Sequence, residues 1–239
     1  MTAHHLNNLR SVYDGLPLGS ADKWLHYLDI YDQWFRPLRY ESIKILELGV
    51  DRGGPLLMWR RYFGSSAHIH GADIKAESAF NLNVVAAQAH VVIGDLGRRD
   101  FIEHLAGLGP WDIVIDDASH HASHQFLAWS LLSPVTTGFY CIEDTHTALW
   151  PAFRQPSYPA DALELGMICA TAMHDYFLKA GTSEVFSNMP WPNADKICDV
   201  RKHMKAVHFY DSLIIMEMGP NGPPERRPRT TSEEAVSPR

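Results

Sequence analysis

Apolar and polar positions along this chain change period several times, and each change marks an element. Between Ala21 and Phe35, Trp24, Leu28, Tyr31 and Phe35 recur at helical spacing on one face. Ser20 is placed to cap that helix and Pro37 to stop it. Ile43-Lys-Ile-Leu-Glu-Leu48 is a short apolar run ending at Gly49, which predicts a first strand, and Pro55 opens a helix reaching Tyr62. Further strands are predicted at His68 to Ile74, Val91 to Ile93, Ile113 to Ile115 and Gly138 to Ile142, separated by helices over 76–88, 99–107 and 121–132. That βαβαβαβαβ order predicts a parallel sheet with right-handed crossovers.

The last third reads differently. A loop with Pro151, Pro156 and Pro159 leads to a helix over 160–178, and Val207 to Tyr210 and Leu213 to Met218 form a hairpin about Asp211-Ser212. Residues 1–19 read as an irregular arm, and the end of the chain, with five prolines from Gly219 onward and almost nothing apolar, reads as disordered. The expected organisation is an arm and lid helix over 1–40, an α/β domain over 41–219 and a tail over 220–239.

Composition narrows the class. The chain has 239 residues, 46% of them hydrophobic and 21% charged, as for one globular domain with a sizeable core. A formal net charge of -7 argues against nucleic acid as a partner. No apolar run approaches the roughly 20 residues that span a bilayer. The opening residues lack the charged and apolar regions of a secretory signal, so the expected location is the cytoplasm. Cys141, Cys169 and Cys198 are widely spaced and odd in number, which suits reduced thiols.

Candidate chemistry sits at the predicted strand ends. Glu47-Leu-Gly-Val-Asp-Arg-Gly53 lies between a strand and a helix, where Gly49 allows a sharp turn and Gly53 a close backbone approach to a ligand. It lacks the spacing of a pyrophosphate cradle, and Glu47 places an anion where a cationic ligand would be welcome. Asp73 and Ile74 end the second strand, where an acid accepts from ribose hydroxyls. Gly94-Asp95 ends the third, within reach of an adenine edge. A cationic nucleoside without phosphate, S-adenosylmethionine, fits these acids, with its ammonium and sulfonium facing Glu47 and Asp116.

The densest acid lies further on. Val114-Ile-Asp-Asp-Ala-Ser-His-His121 and Cys141-Ile-Glu-Asp144 are buried runs ending in paired carboxylates. Like charges that close repel unless a cation sits among them. Asp117, Glu143 and Asp144 form an all-oxygen set suited to Mg²⁺ or Mn²⁺. His120, three residues past Asp117, is the candidate general base for removing a hydroxyl proton. Two alternatives stay open on these residues: iron held by His120, His124 and an aspartate, and a nucleoside-binding subunit without catalysis.

The residues in this order resemble the metal-dependent class I methyltransferases of the macrocin and mycinamicin sugar O-methyltransferase type. The matching elements include Asp22-Lys-Trp-Leu-His-Tyr27, Ile45-Leu-Glu-Leu-Gly49, Gly71-Ala-Asp-Ile74, Asp112-Ile-Val-Ile-Asp-Asp117 with His120, Ile142-Glu-Asp-Thr145 and Trp150-Pro151. The resemblance implies a Rossmann-like fold with seven strands, mostly parallel, the last antiparallel, and helices on both faces. It implies S-adenosylmethionine as donor, Mg²⁺ held by Asp117, Glu143 and Asp144, His120 as base, and Lys23 in a segment closing over the site. A small hydroxylated natural product, with a sugar hydroxyl as the acceptor group, and a homo-oligomeric state are the further expectations it carries. The match weakens between Pro151 and Lys205, where acceptor recognition is expected.

Overall fold

The computed structural model describes residues 8–153, 160–174 and 200–222, with 224, 225 and 227. The helices are α1 (Leu9–Asp14), α2 (Leu25–Phe35), α3 (Gly54–Phe63), α4 (Leu82–Ala87), α5 (Arg99–Gly107), α6 (Ala122–Leu132), α7 (Ala162–Ala172) and α8 (Val200–His203). The strands are β1 (Lys44–Leu48), β2 (His68–Asp73), β3 (His90–Ile93), β4 (Trp111–Asp116), β5 (Thr136–Ile142), β6 (Met204–Tyr210) and β7 (Leu213–Met218). They form one sheet in the order β3-β2-β1-β4-β5-β7-β6. Strands β1 to β5 pair in parallel, and β7 runs antiparallel to both β5 and β6. The expected mixed sheet is therefore present.

Strand alternation divides the interior into two cores. Ile45, Ile113, Ile115 and Ile215 face an aromatic layer from α2 and α3 that includes Tyr31, Phe35, Trp59 and Phe63. Leu46, Val114, Tyr140 and Met216 face α5, α6 and α7. Helices thus cover both faces.

Three expectations need correction. The arm is not wholly irregular: α1 forms, capped by Asn8 and anchored by buried Leu9 and Val12. The N-cap of α2 is Trp24 rather than Ser20, so Trp24 leaves the predicted buried face and is 55% exposed, while Leu28, Tyr31 and Phe35 are buried on it. Helix α7 begins at Ala162 behind an Asp161–Glu164 capping box. The rest of its predicted span beyond 174, Cys198 and most of the tail lie outside the described residues; Asn221, at the tail's start, is bonded to Lys202 O and Met204 O.

The strand order reverses between β1 and β4, and a crevice opens beyond the carboxyl ends of strands at such a point. Register aligns what lies there. Leu48 pairs with Asp116, and Asp116 with Ile142. The ladder then runs one step past the strands: Asp117 N donates to Leu48 O, Glu143 N to Asp116 O, Gly49 N to Ala72 O and Gly94 N to Asp73 O. Gly49, Asp117 and Glu143 thereby stand in one row across the top of the sheet.

Candidate active site

Two clefts open on that row. The first, of about 320 Å³, is lined by Gly49, Asp73, Ile74, Gly94, Asp95, Asp117, Ser119 and His124, with Ser20, Ala21 and Asp22 on its far wall. This size is within the range of small-molecule sites. Asp73 shapes the glycine turn: its Oδ2 accepts from Val50 N at 2.9 Å and Asp51 N at 3.0 Å, and its Oδ1 from Lys75 N at 2.8 Å. Asp95 Oδ1 accepts from Gly97 N at 2.8 Å. Gly49 has φ +89, and a Cβ there would lie 2.1 Å from Asp117 O, so only glycine fits where the two turns cross.

Five of the eight residues expected around a nucleoside line this cleft, and three do not. A Cβ on Gly53 would meet Val84 Cγ2 at 2.6 Å, so Gly53 permits close packing of α3 on α4 and is not part of the cleft wall. Glu47 is buried on the face it shares with Ile45: its Oε2 accepts from Trp59 Nε1 at 2.8 Å and its Oε1 from Lys23. Asp116 shares a face with Val114 and is buried away from the cleft; burial, reinforced by Asp117, pushes its carboxyl up to about 7.

The second cleft, of about 500 Å³, is lined by Lys23, Trp24, Asp117, His120, Glu143, Asp144, His146 and Trp150. Asp117 belongs to both clefts. At the inner end, among acids that the sequence pattern assigned to a metal ion, sits an ammonium supplied by the chain. Lys23 Nζ donates to Asp117 Oδ2 at 2.6 Å, to Glu47 Oε1 at 3.1 Å and to Glu143 Oε1 and Oε2 at 2.9 Å. The lysine side chain is 1% exposed. Burial alone would lower its pKa, but the three carboxylates outweigh that and hold it well above the usual lysine value. One ammonium among three carboxylates leaves a surplus of negative charge. Burial and Asp117 accordingly push Glu143 up to about 8 even with Lys23 against it.

Toward the open side the partners change. Asp144 has φ +52, and His120 has φ +56, left-handed backbone that costs a branched or long side chain about 1 kcal/mol or more. Asp144 Oδ1 accepts from Trp24 Nε1 at 3.1 Å and Tyr27 Oη at 3.0 Å. Its Oδ2 lies 3.7 Å from His120 Nε2, and Asp117 Oδ1 lies 4.0 Å from the same nitrogen. Among the described residues, Asp117, His120 and Asp144 bring one ligand atom each within 4.8 Å, and so do Glu47, Asp117 and Glu143. The expected ligand set is thus divided: Asp144 stands with His120, Glu143 with Lys23, and Asp117 joins the two.

A hard divalent cation fits the open half. Asp117 Oδ1 and Asp144 Oδ2 are oxygen donors facing a cavity, and no donor group of the chain is within hydrogen-bond distance of either among the described residues. The iron triad does not assemble: His124 lies in the first cleft, its Nδ1 2.8 Å from Ser119 Oγ, and it joins neither group.

Sequence reasoning missed the partners that hold the acids. Tyr31 Oη donates to Glu143 Oε1 at 2.8 Å, and Tyr27, Trp24 and Trp59 hold Asp144 and Glu47. Of these, Trp24 and Tyr31 were read from their spacing, and only as positions on an apolar helix face.

No family model matches the chain. Demethylmacrocin O-methyltransferase of Streptomyces fradiae is 31% identical over 231 residues, covering 90% of this chain and 53% of that protein. Mycinamicin VI 2''-O-methyltransferase of Micromonospora griseorubida is 35% identical over 201 residues, covering 80% of this chain and 47% of its own length. The structure of MycE methyltransferase from the mycinamycin pathway, in complex with Mg, SAH and mycinamycin VI, superposes with a TM-score of 0.70 at 26% identity over 95% of this chain and 57% of that one. This chain is a homologue of the macrocin and mycinamicin sugar O-methyltransferases. Its fold is the class I methyltransferase fold. It spans about half the length of these curated relatives. Among the described residues, no helix is long and apolar enough to cross a membrane.

Proposed function

We propose that this chain is an S-adenosylmethionine-dependent O-methyltransferase, assisted by Mg²⁺, that methylates a sugar hydroxyl of a natural product. One observation carries the reading: Asp117 is shared by a nucleoside-sized cleft and an acidic cleft, and His120 Nε2 stands over the acidic side, near Asp117 Oδ1 and Asp144 Oδ2. Donor and acceptor sites that adjoin at a strand end are what group transfer between two small molecules requires.

In this reading Asp73 and Asp95 receive the ribose and adenine groups, with Gly49 and Gly94 leaving room for the ligand at the cleft floor. Asp117, Glu143 and Asp144 hold the cation; Glu143 Oε1 accepts from both Lys23 and Tyr31, and Oε2, bonded to Lys23, keeps a second lone pair for the metal. Bound Mg²⁺ polarises an alcohol oxygen and stabilises the charge that develops on it. His120 Nε2 takes the hydroxyl proton as the acceptor oxygen bonds the methyl carbon and the carbon–sulfur bond breaks. Trp150, His146 and Phe153 form a wall on which an acceptor ring can rest. Location in the cytoplasm follows from the same biosynthetic reading.

The test is transfer of labelled methyl from S-adenosylmethionine to a panel of glycosylated polyketides and their aglycones, in chelator and after Mg²⁺ is restored. Transfer to sugar-bearing acceptors alone, dependent on Mg²⁺, is expected. Donor binding with no transfer to any acceptor would instead favour a nucleoside-binding subunit.

A further inference from the structure

Residues 20–24, between α1 and α2, are shared by both clefts. Ser20, Ala21 and Asp22 wall the first, and Asp22, Lys23 and Trp24 wall the second. The same short stretch bonds all three carboxylates to which a metal was assigned: Lys23 Nζ holds Asp117 and Glu143, and Trp24 Nε1 holds Asp144. It is fastened from behind as well. Gly54 N donates to Ser20 O, Lys23 N to Tyr13 Oη, and Tyr13 Oη to Ala21 O. Ser20 O lies so close to α3 that a Cβ on Gly54 would sit 2.2 Å from it.

A segment with no slack, touching both sites, transmits order from one to the other. A ligand that presses on Ser20 to Asp22 fixes the backbone that carries Lys23 and Trp24. A cation drawn onto Asp117 and Asp144 fixes the carboxylates that those two side chains grip. From this we infer that Lys23 is a positioning residue that couples donor binding to metal binding, with Trp24 as its weaker second link. The inference rests on the metal assignment proposed above. The coupling is reciprocal, because linkage between two binding equilibria must be. Lys23 is the stronger link because it is buried, charged and bonded three ways, whereas Trp24 is half exposed and contributes one hydrogen bond.

The experiment is calorimetry of S-adenosylhomocysteine in chelator and in saturating Mg²⁺, with Mn²⁺ binding followed separately by electron paramagnetic resonance. In the native protein Mg²⁺ should tighten the nucleoside by about fivefold or more, the low end of measured coupling between sites. In Lys23→Gln that ratio should fall to about one while each ligand still binds alone. Trp24→Phe, an exposed change that leaves the buried ion cluster untouched, should reduce the ratio by roughly half, and it keeps the test alive if Lys23→Gln does not fold. A native ratio near one, or an unchanged ratio in the variants, overturns the coupling and leaves the metal site standing. Failure of Mn²⁺ to bind the native protein overturns the metal assignment and the coupling together.

Discussion

In the first cleft Asp73 accepts three backbone N–H groups and Asp95 one, so these carboxylates are already bonded to their own chain. Across Asp117, in the second cleft, Asp117 Oδ1 and Asp144 Oδ2 face space and the ring of His120. The residue type and the strand-end position are the same. Asp73 builds a shape, whereas Asp117 Oδ1 and Asp144 Oδ2 leave charge to be answered. What separates the two roles is whether the lone pairs are satisfied from within, a property of backbone geometry and not of composition.

That contrast can be broken from either side. The largest effect should come from the open acids. Asp144→Asn keeps an oxygen for Trp24 and Tyr27 but removes the charge. Turnover should fall on the order of 10³-fold, as expected when a metal's several kcal/mol of stabilisation is withdrawn. Binding of S-adenosylhomocysteine measured without Mg²⁺ should not move. Weaker nucleoside binding under those conditions would mean that the second cleft also serves the donor.

His120→Ala should lower turnover at least about a hundredfold, within the range for a general base, and leave nucleoside affinity nearly intact. An unchanged rate removes His120 from the reaction and leaves its left-handed backbone unexplained.

The satisfied acids should respond in the opposite sense. Asp73→Ala strips the acceptor from Val50 N, Asp51 N and Lys75 N, and charged hydrogen bonds of this kind make its loss worth about 2 kcal/mol of stability. Nucleoside affinity should fall with it, and the rate at saturating donor should change little. A dissociation constant equal to the native one by calorimetry would sink the assignment of this cleft to the donor.

The sequence reported this contrast only in part, for physical reasons. Strands β1 and β4 were legible as buried apolar runs, because burial on both faces leaves no polar alternation, while β2 and the exposed or half-buried β3 carried shorter apolar signals; the acids beyond the strands were legible as crevice residues. Within the runs the faces were harder to assign. Glu47 lies two residues past Ile45 and Asp116 two past Val114, and period-two alternation turns both inward to the two cores. Reading Glu47 as part of the donor site overlooked that parity. Charge among the acids was read as a call for a metal ion, and the structure adds an ammonium that this reading did not name: Lys23 meets Glu47, Asp117 and Glu143 across 24, 94 and 120 residues of chain, distances that no local pattern spans. Helix α1 was missed because six residues are too few to display a period.

A half-buried ionisable group outside both clefts sharpens the comparison further, because among the described residues it has no counter-ion to answer it. His70 in β2 packs edge-on against Trp111 at 5.1 Å and His90 at 5.5 Å. Burial, with smaller contributions from Lys44 and the neighbouring histidines, pushes its pKa down to about 4. An unfolded histidine titrates near 6.5, so between about pH 4 and 6.5 the unfolded chain binds the extra proton and the folded chain does not. The contribution of His70 is therefore complete above about pH 6.5 and is lost as pH falls toward 4. After screening at a half-buried site it amounts to on the order of 1 kcal/mol. His70→Leu should flatten the melting temperature across that window relative to the native protein while matching it near neutrality. Parallel pH profiles for the two proteins would mean that the imidazole finds its proton without cost, and that neutralisation is not how this part of the sheet tolerates a half-buried base.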